Sequence, residues 1–96
     1  MRNKENVINW AKDKGLLKPE NSSKQFIKTV EELGEVASAL AKGNKEAFVD
    51  GIGDVVVTLI ILAEQNGLDI EDCLEHAWNE IKDRTGQTVN GVFIKN

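Results

Sequence analysis

Cysteine and histidine each occur once in the 96 residues, as Cys73 and His76. A lone cysteine excludes an internal disulfide and a cysteine-built metal site, and a lone histidine excludes a histidine cluster. Cys73 reads as packing, with no base partner in evidence, and His76 as a helix-surface residue. Tyrosine is absent, and the one proline is Pro19. Positive charge is not in excess: 12 Lys and Arg stand against 16 Asp and Glu, a net charge of -4. That excludes the basic stripe of a nucleic-acid binder. An anionic ligand would need a cation to bridge it to the acidic groups. The longest apolar run, 55–63, is broken only by Thr58 and is too short to cross a bilayer. The first ten residues lack the apolar core of a secretory signal. The expectation is a cytoplasmic location with neither nucleic acid nor membrane as partner.

What is present is a charged, soluble composition, 41% hydrophobic and 29% charged, enough for one small domain over 1–96. Four helices are expected. Val7, Ile8, Trp10 and Ala11 give 3–14 an apolar stripe, stopped at Gly15. Asn21, Ser22 and Ser23 are N-cap candidates for a second helix over 23–42, ended by Gly43-Asn44. Its expected core face is Phe26, Ile27, Val30, Leu33, Ala37, Leu40 and Ala41, with Glu31, Glu32, Glu35 and Lys28 on the other side. A third helix from Lys45 to Asn66-Gly67 is apolar nearly all round over 55–63, which predicts burial on every side and packing against another subunit. A β-strand rivals it there, because β-branched residues favour sheets. The unbroken run into Leu62-Ala63-Glu64-Gln65 and the lack of a partner strand favour helix. A fourth helix is capped by Asp69 and Asp72, stapled by Leu68 and Cys73, and expected to end near Arg84. Its inner face would be Ile70, Cys73, Leu74, Ala77, Trp78 and Ile81. Asn90-Gly91 between apolar residues signals a short hairpin leaning on the helices. The fold class is therefore all-α: an antiparallel bundle of about four helices with a C-terminal β-hairpin, its core completed by oligomerisation.

Two acidic groups flank the polar turn between the second and third helices. Glu31, Glu32 and Glu35 lie within about one helical turn, a repulsive patch that a cation would relieve. Taken alone, such a run reads as a solvated helix face. Asp50 and Asp54 are one turn apart on the third helix. Asp54 directly precedes the apolar run, so it is expected to be at least partly buried, where a carboxylate needs a partner or a metal. Gly51 and Gly53 are poor helix formers, which suggests close approach of a neighbour. An all-oxygen set suits Mg²⁺ or Mn²⁺. Such a site could activate a water and neutralise a polyphosphate. Asn79, Lys82 and Arg84 are candidate phosphate contacts, although cations at a helix end are also favoured by its dipole. Trp10, Phe26, Trp78 and Phe93 read first as core and second as base-stacking residues.

Glu32-x-x-Glu35, a short spacer, then Asp54-Val-Val-Val, and finally Asn79-x-x-Lys82-x-Arg84-x-Gly86, resembles the MazG-like all-α nucleotide pyrophosphohydrolases over about 25–86. The Asp50-Gly-Ile-Gly-Asp54 turn and the Val89-Asn-Gly-Val-Phe93 tail are similar to short phage- or integron-type members. The resemblance implies hydrolysis of a nucleoside or deoxynucleoside triphosphate to monophosphate and pyrophosphate in a homo-oligomer, dimer or tetramer. It implies Mg²⁺ held by Glu32, Glu35 and Asp54. Asn79, Lys82 and Arg84 match as phosphate and sugar contacts, and Lys28 is a further candidate substrate contact. One departure stands out: the family's second pair is Glu-x-x-Asp, and Gly51 occupies the Glu position. Asp50, Glu31 or a water would complete the set. The alternatives are a weakened nucleotide-binding or sensing module, and a helical interaction protein with merely solvated acidic patches.

Overall fold

The computed structural model describes residues 2–96; Met1 lies outside the described residues. Helix α1 spans Arg2–Asp13, and Gly15 takes the positive φ of 71° that ends it. A 3-10 turn, Pro19–Asn21, leads into α2, Ser22–Lys42. Gly43, at φ 68°, closes α2 with its N–H on Ala39 O and Leu40 O. The Asn44 side chain then caps α3, Lys45–Gln65, by accepting from the Ala47 N–H. Helix α4 spans Ile70–Ile81, three residues short of the expected end. Strands β1, Gly86–Val89, and β2, Val92–Lys95, pair antiparallel with Val89 opposite Val92. Asn90 and Gly91 both have positive φ, the two-residue turn that matches strand twist.

The chain is thus four helices and a hairpin, with the helix reading of 55–63 upheld. Antiparallel α2 and α3 form its centre. Gly51 lies against Val36, and the Gln25 amide donates to Thr58 O. Thr29 and Ala39 are buried along the same line on α2. Helix α1 packs on α3, with Ala11 fully buried. Gln65, also buried, donates to Leu16 O at 2.8 Å and ties the α1–α2 connector to the end of α3.

The expected core faces are not covered within the chain. Phe26, Ile27, Val30, Leu33 and Leu40 are all half exposed or more, Leu40 by 68%. Helix α3 takes the flank carrying Thr29, Glu32 and Ala39 instead. Small and polar side chains let the two backbones approach closely there. Helix α3 itself is buried only in part: Val49, Ile52, Val56 and Leu59 face outward. Helix α4 touches α3 near its start and then projects away, leaving Leu74, Trp78, Ile81 and Cys73 exposed. The hairpin is exposed along its length rather than leaning on the helices.

An ion cluster around one buried lysine fixes the root of α4. Lys4, only 4% exposed, donates to Asp69 at 2.8 and 3.1 Å and to Glu71 at 2.7 Å. Asp69 also caps α4, accepting from the Glu71 N–H at 2.8 Å. The capping box with Asp72 is therefore replaced by a cap on Glu71 and a lysine from α1. The Lys4 hydrogen bonds hold both carboxyls below their usual range, and hold the Lys4 ammonium above its own. The carboxylates contribute stability above their unfolded pKa values, near pH 4, and that contribution is lost as pH falls through the lower folded values. The Lys4 contribution is present below its unfolded pKa and lost only in strong alkali. Thermal melts should show Lys4→Gln with a lower Tm at neutral pH. They should also show a flatter loss of stability below about pH 4 than the native chain.

Candidate active site

At 100° per residue, the exposed apolar side chains of α2 lie roughly a third of a turn to one side of its contact line with α3, and Glu31 and Glu35 a similar angle to the other. On α3, Ile52, Val56 and Leu59 lie to one side of Gly51, and Asp50 and Asp54 to the other. In antiparallel helices, rotations of the same sense bring corresponding faces to the same side. The acidic residues of both helices therefore share one side of the pair, and the apolar stripes share the opposite side.

A groove of about 390 Å³ runs along the acidic side. Lys28, Glu32 and Asp54 line one part of it, and Trp10, Leu16, Val57 and Ile61 line another, with Gln25 and Thr58. Glu32, expected on a solvated face, is 7% exposed. Lys28 reaches its Oε1 at 3.3 Å and Glu31 at 3.7 Å. The other oxygen, Glu32 Oε2, is buried with no hydrogen-bond partner. Glu35, one turn of α2 further on, lies beside the Glu32 carboxylate. Its contact with the Glu32 carboxylate raises its pKa, and the charge of Asp54 adds to that rise. Glu32, Glu35 and Asp54 are thus brought into one electrostatic neighbourhood.

Asp54 itself is exposed, against the expectation of partial burial. It lines the open groove together with Val57 and Ile61. Among the described residues, no three acidic side chains already stand as an ion's donor cage. The donor chemistry fits a hard divalent cation nonetheless: three mutually repelling carboxylates, one with an orphaned oxygen. Glu31 and Asp50, both exposed, flank these on the same side.

Gly51 explains the absent carboxylate. A Cβ there would lie 2.9 Å from Val36 Cγ2, so this position is used for helix contact. Gly53 has open space around it and serves no such approach. Asn79, Lys82 and Arg84 sit at or beyond the end of α4, exposed, and do not line the acidic groove of their own chain. Arg84 instead lines a separate hollow with Ile81 and Phe93. Trp10 was legible as a candidate stacking residue, but its place at the acidic groove was not.

Residues 24–88 match the model of the MazG-like family. The chain belongs to the MazG-like family. The matched MazG-like segment runs from α2 through the first strand and includes every acidic residue of the groove. The chain is also similar to an uncharacterized 18.2 kDa protein from the rep-hol intergenic region of Haemophilus phage HP1, 44% identical over 64 residues. That alignment covers 67% of this chain, which spans 39% of the length of the phage protein. No solved structure gives a significant match. No helix among the described residues is long and apolar enough to cross a membrane.

Proposed function

We propose that this chain is a divalent-metal-dependent pyrophosphohydrolase of nucleoside or deoxynucleoside triphosphates. The observation that carries the reading is the buried Glu32, its Oε2 without a hydrogen-bond partner and its carboxylate beside Glu35, in a groove that also holds Asp54, Lys28 and Trp10. Glu32, Glu35 and Asp54 would hold Mg²⁺ or Mn²⁺, with Asp50 and Glu31 near enough in sequence and on the right side to complete the set. The bound cation supplies charge neutralisation of the polyphosphate and a more acidic water at the α phosphorus. Lys28, already paired to Glu32 and Glu31, is placed to exchange those partners for a phosphate oxygen. Trp10, 52% exposed at the groove, offers a stacking face for the base. Val57 and Ile61 form the apolar floor beside it. In this reading any substrate contact from Asn79, Lys82 and Arg84 is made from a second chain.

The test is product analysis. The pure chain with Mg²⁺ and each common triphosphate should release monophosphate and pyrophosphate in equal amounts, with no free phosphate, and only when the cation is present. Absence of turnover for all of them at high enzyme concentration would refute the reading. Gly51 favours a second reading, nucleotide binding without turnover, because it supplies no carboxylate and a Cβ there would push on the Val36 side chain. Calorimetry showing Mg²⁺-dependent triphosphate binding together with absent turnover would select it.

A further inference from the structure

Among the described residues that line the acidic groove, Lys28 is the only cation. Its Nζ lies 3.3 Å from Glu32 Oε1 and 3.7 Å from Glu31 Oε2. The charge of Glu35 reaches it as well, and Asp54 lines the same groove from α3. One ammonium therefore stands among the carboxylates proposed above as metal ligands. Neither distance is short, and the Lys28 side chain is 56% exposed. An ion pair held this loosely contributes little to stability and is easily exchanged. The order is also the weaker one for a helix, since lysine precedes glutamate at the i, i+4 spacing.

We propose that Lys28 is the resident counter-ion of this site, competing with a divalent cation for Glu32 and Glu31 until a polyphosphate draws it away. This role presupposes the metal-dependent reading of the groove and adds a coupling between its two ligands. A cation shared by Glu32 and Glu35 would stand beside the ammonium and be repelled by it, so the free chain takes up metal weakly. Phosphate oxygens offer Lys28 another partner, and its four-carbon stem lets the head move without the backbone. With Lys28 on phosphate, Glu32 is released to the cation. Metal and triphosphate then each tighten the binding of the other by the same factor. The chain would take its substrate as the metal complex and hold little metal when idle.

Calorimetry with Mn²⁺ alone, on the full chain without nucleotide, separates this role from a plain helix-surface ion pair. Lys28→Met removes the ammonium, keeps the length of the stem and suits a helix. Mn²⁺ should bind Lys28→Met roughly threefold or more tightly than the native chain. Lys28→Arg should bind it as the native chain does. Lys24→Met, one turn earlier on α2 and away from the groove lining, should leave Mn²⁺ affinity unchanged. A triphosphate analogue with a methylene bridge between the α and β phosphorus should show the reverse order, binding Lys28→Met more weakly than the native chain at saturating Mn²⁺. Unchanged or weaker Mn²⁺ binding by Lys28→Met would overturn the proposal, as would an equal gain in Lys24→Met. Mn²⁺ binding to neither the native chain nor Lys28→Met, with or without the analogue, would overturn the metal-dependent reading of the groove and this role with it.

Discussion

Glu32→Gln is expected to lower kcat/KM for triphosphate hydrolysis on the order of a hundredfold or more, the scale seen when one stabiliser of a developing charge is removed. The Tm of the same variant should not fall. Gln keeps the volume and can still accept from Lys28 through its carbonyl oxygen, while the like-charge contact with Glu35 disappears. This combination separates the two roles open to Glu32. A structural ion pair with Lys28 would lose stability on neutralisation, and a ligand for a cation would lose activity and gain or keep stability. Asp54→Asn should behave alike in activity and leave Tm unchanged, because Asp54 is exposed. Steady-state kinetics over a Mg²⁺ titration, with thermal melts of the same preparations, measure both. A Glu32→Gln protein that hydrolyses at the native rate would remove Glu32 from the site.

The largest stability effect is expected at Ile60. It is 4% exposed, in a molecule with few fully buried large side chains. Ile60→Ala removes buried methyl groups and leaves a cavity, at a cost of about 2–5 kcal/mol. For a chain of this size that corresponds to a Tm lower by roughly 10 °C or more. Val92→Ala on the exposed hairpin is the contrast and should shift ΔG by less than about 0.5 kcal/mol. Denaturant melts of both variants check the difference. Equal effects would mean that the core does not sit on α3 as described.

The elements were legible because their signals are local. Gly15, Gly43, Gly67 and Asn90-Gly91 each adopt the positive φ that their positions called for, and Asn44 and Asp69 cap the helices that follow them. Helix faces were less legible, because periodicity reveals a stripe but not what covers it. The apolar stripe of α2 reads as core from Phe26 to Leu40, yet α3 packs on the neighbouring flank of small and polar residues. Lys4 shows the same limit from the other direction. Nothing in the sequence around it distinguishes a buried lysine from a solvated one, and only the docking of α1 beside Asp69 and Glu71 does so.

The acidic site was legible in composition but not in its internal differences. Glu31, Glu32 and Glu35 look equivalent in sequence. The contact with α3 makes Glu32 the buried one, and Glu35 is then set against it. Asp54 was read as the buried carboxylate because an apolar run follows it, but that run turns its flank to an open groove. Gly51 was read both as a lost ligand and as a point of close approach. Its contact with Val36 recasts it as a packing position, so Gly51→Glu would have to displace Val36 before it could restore a carboxylate.

A single-turnover reaction in ¹⁸O-labelled water tests the central claim most directly. With the chain in excess over a nucleoside triphosphate and Mg²⁺ present, the label should enter the nucleoside monophosphate and not the pyrophosphate, and chelation of the metal should stop the reaction. Label in free phosphate or pyrophosphate, or turnover that persists in chelator, would contradict attack at the α phosphorus by way of the Glu32, Glu35 and Asp54 groove.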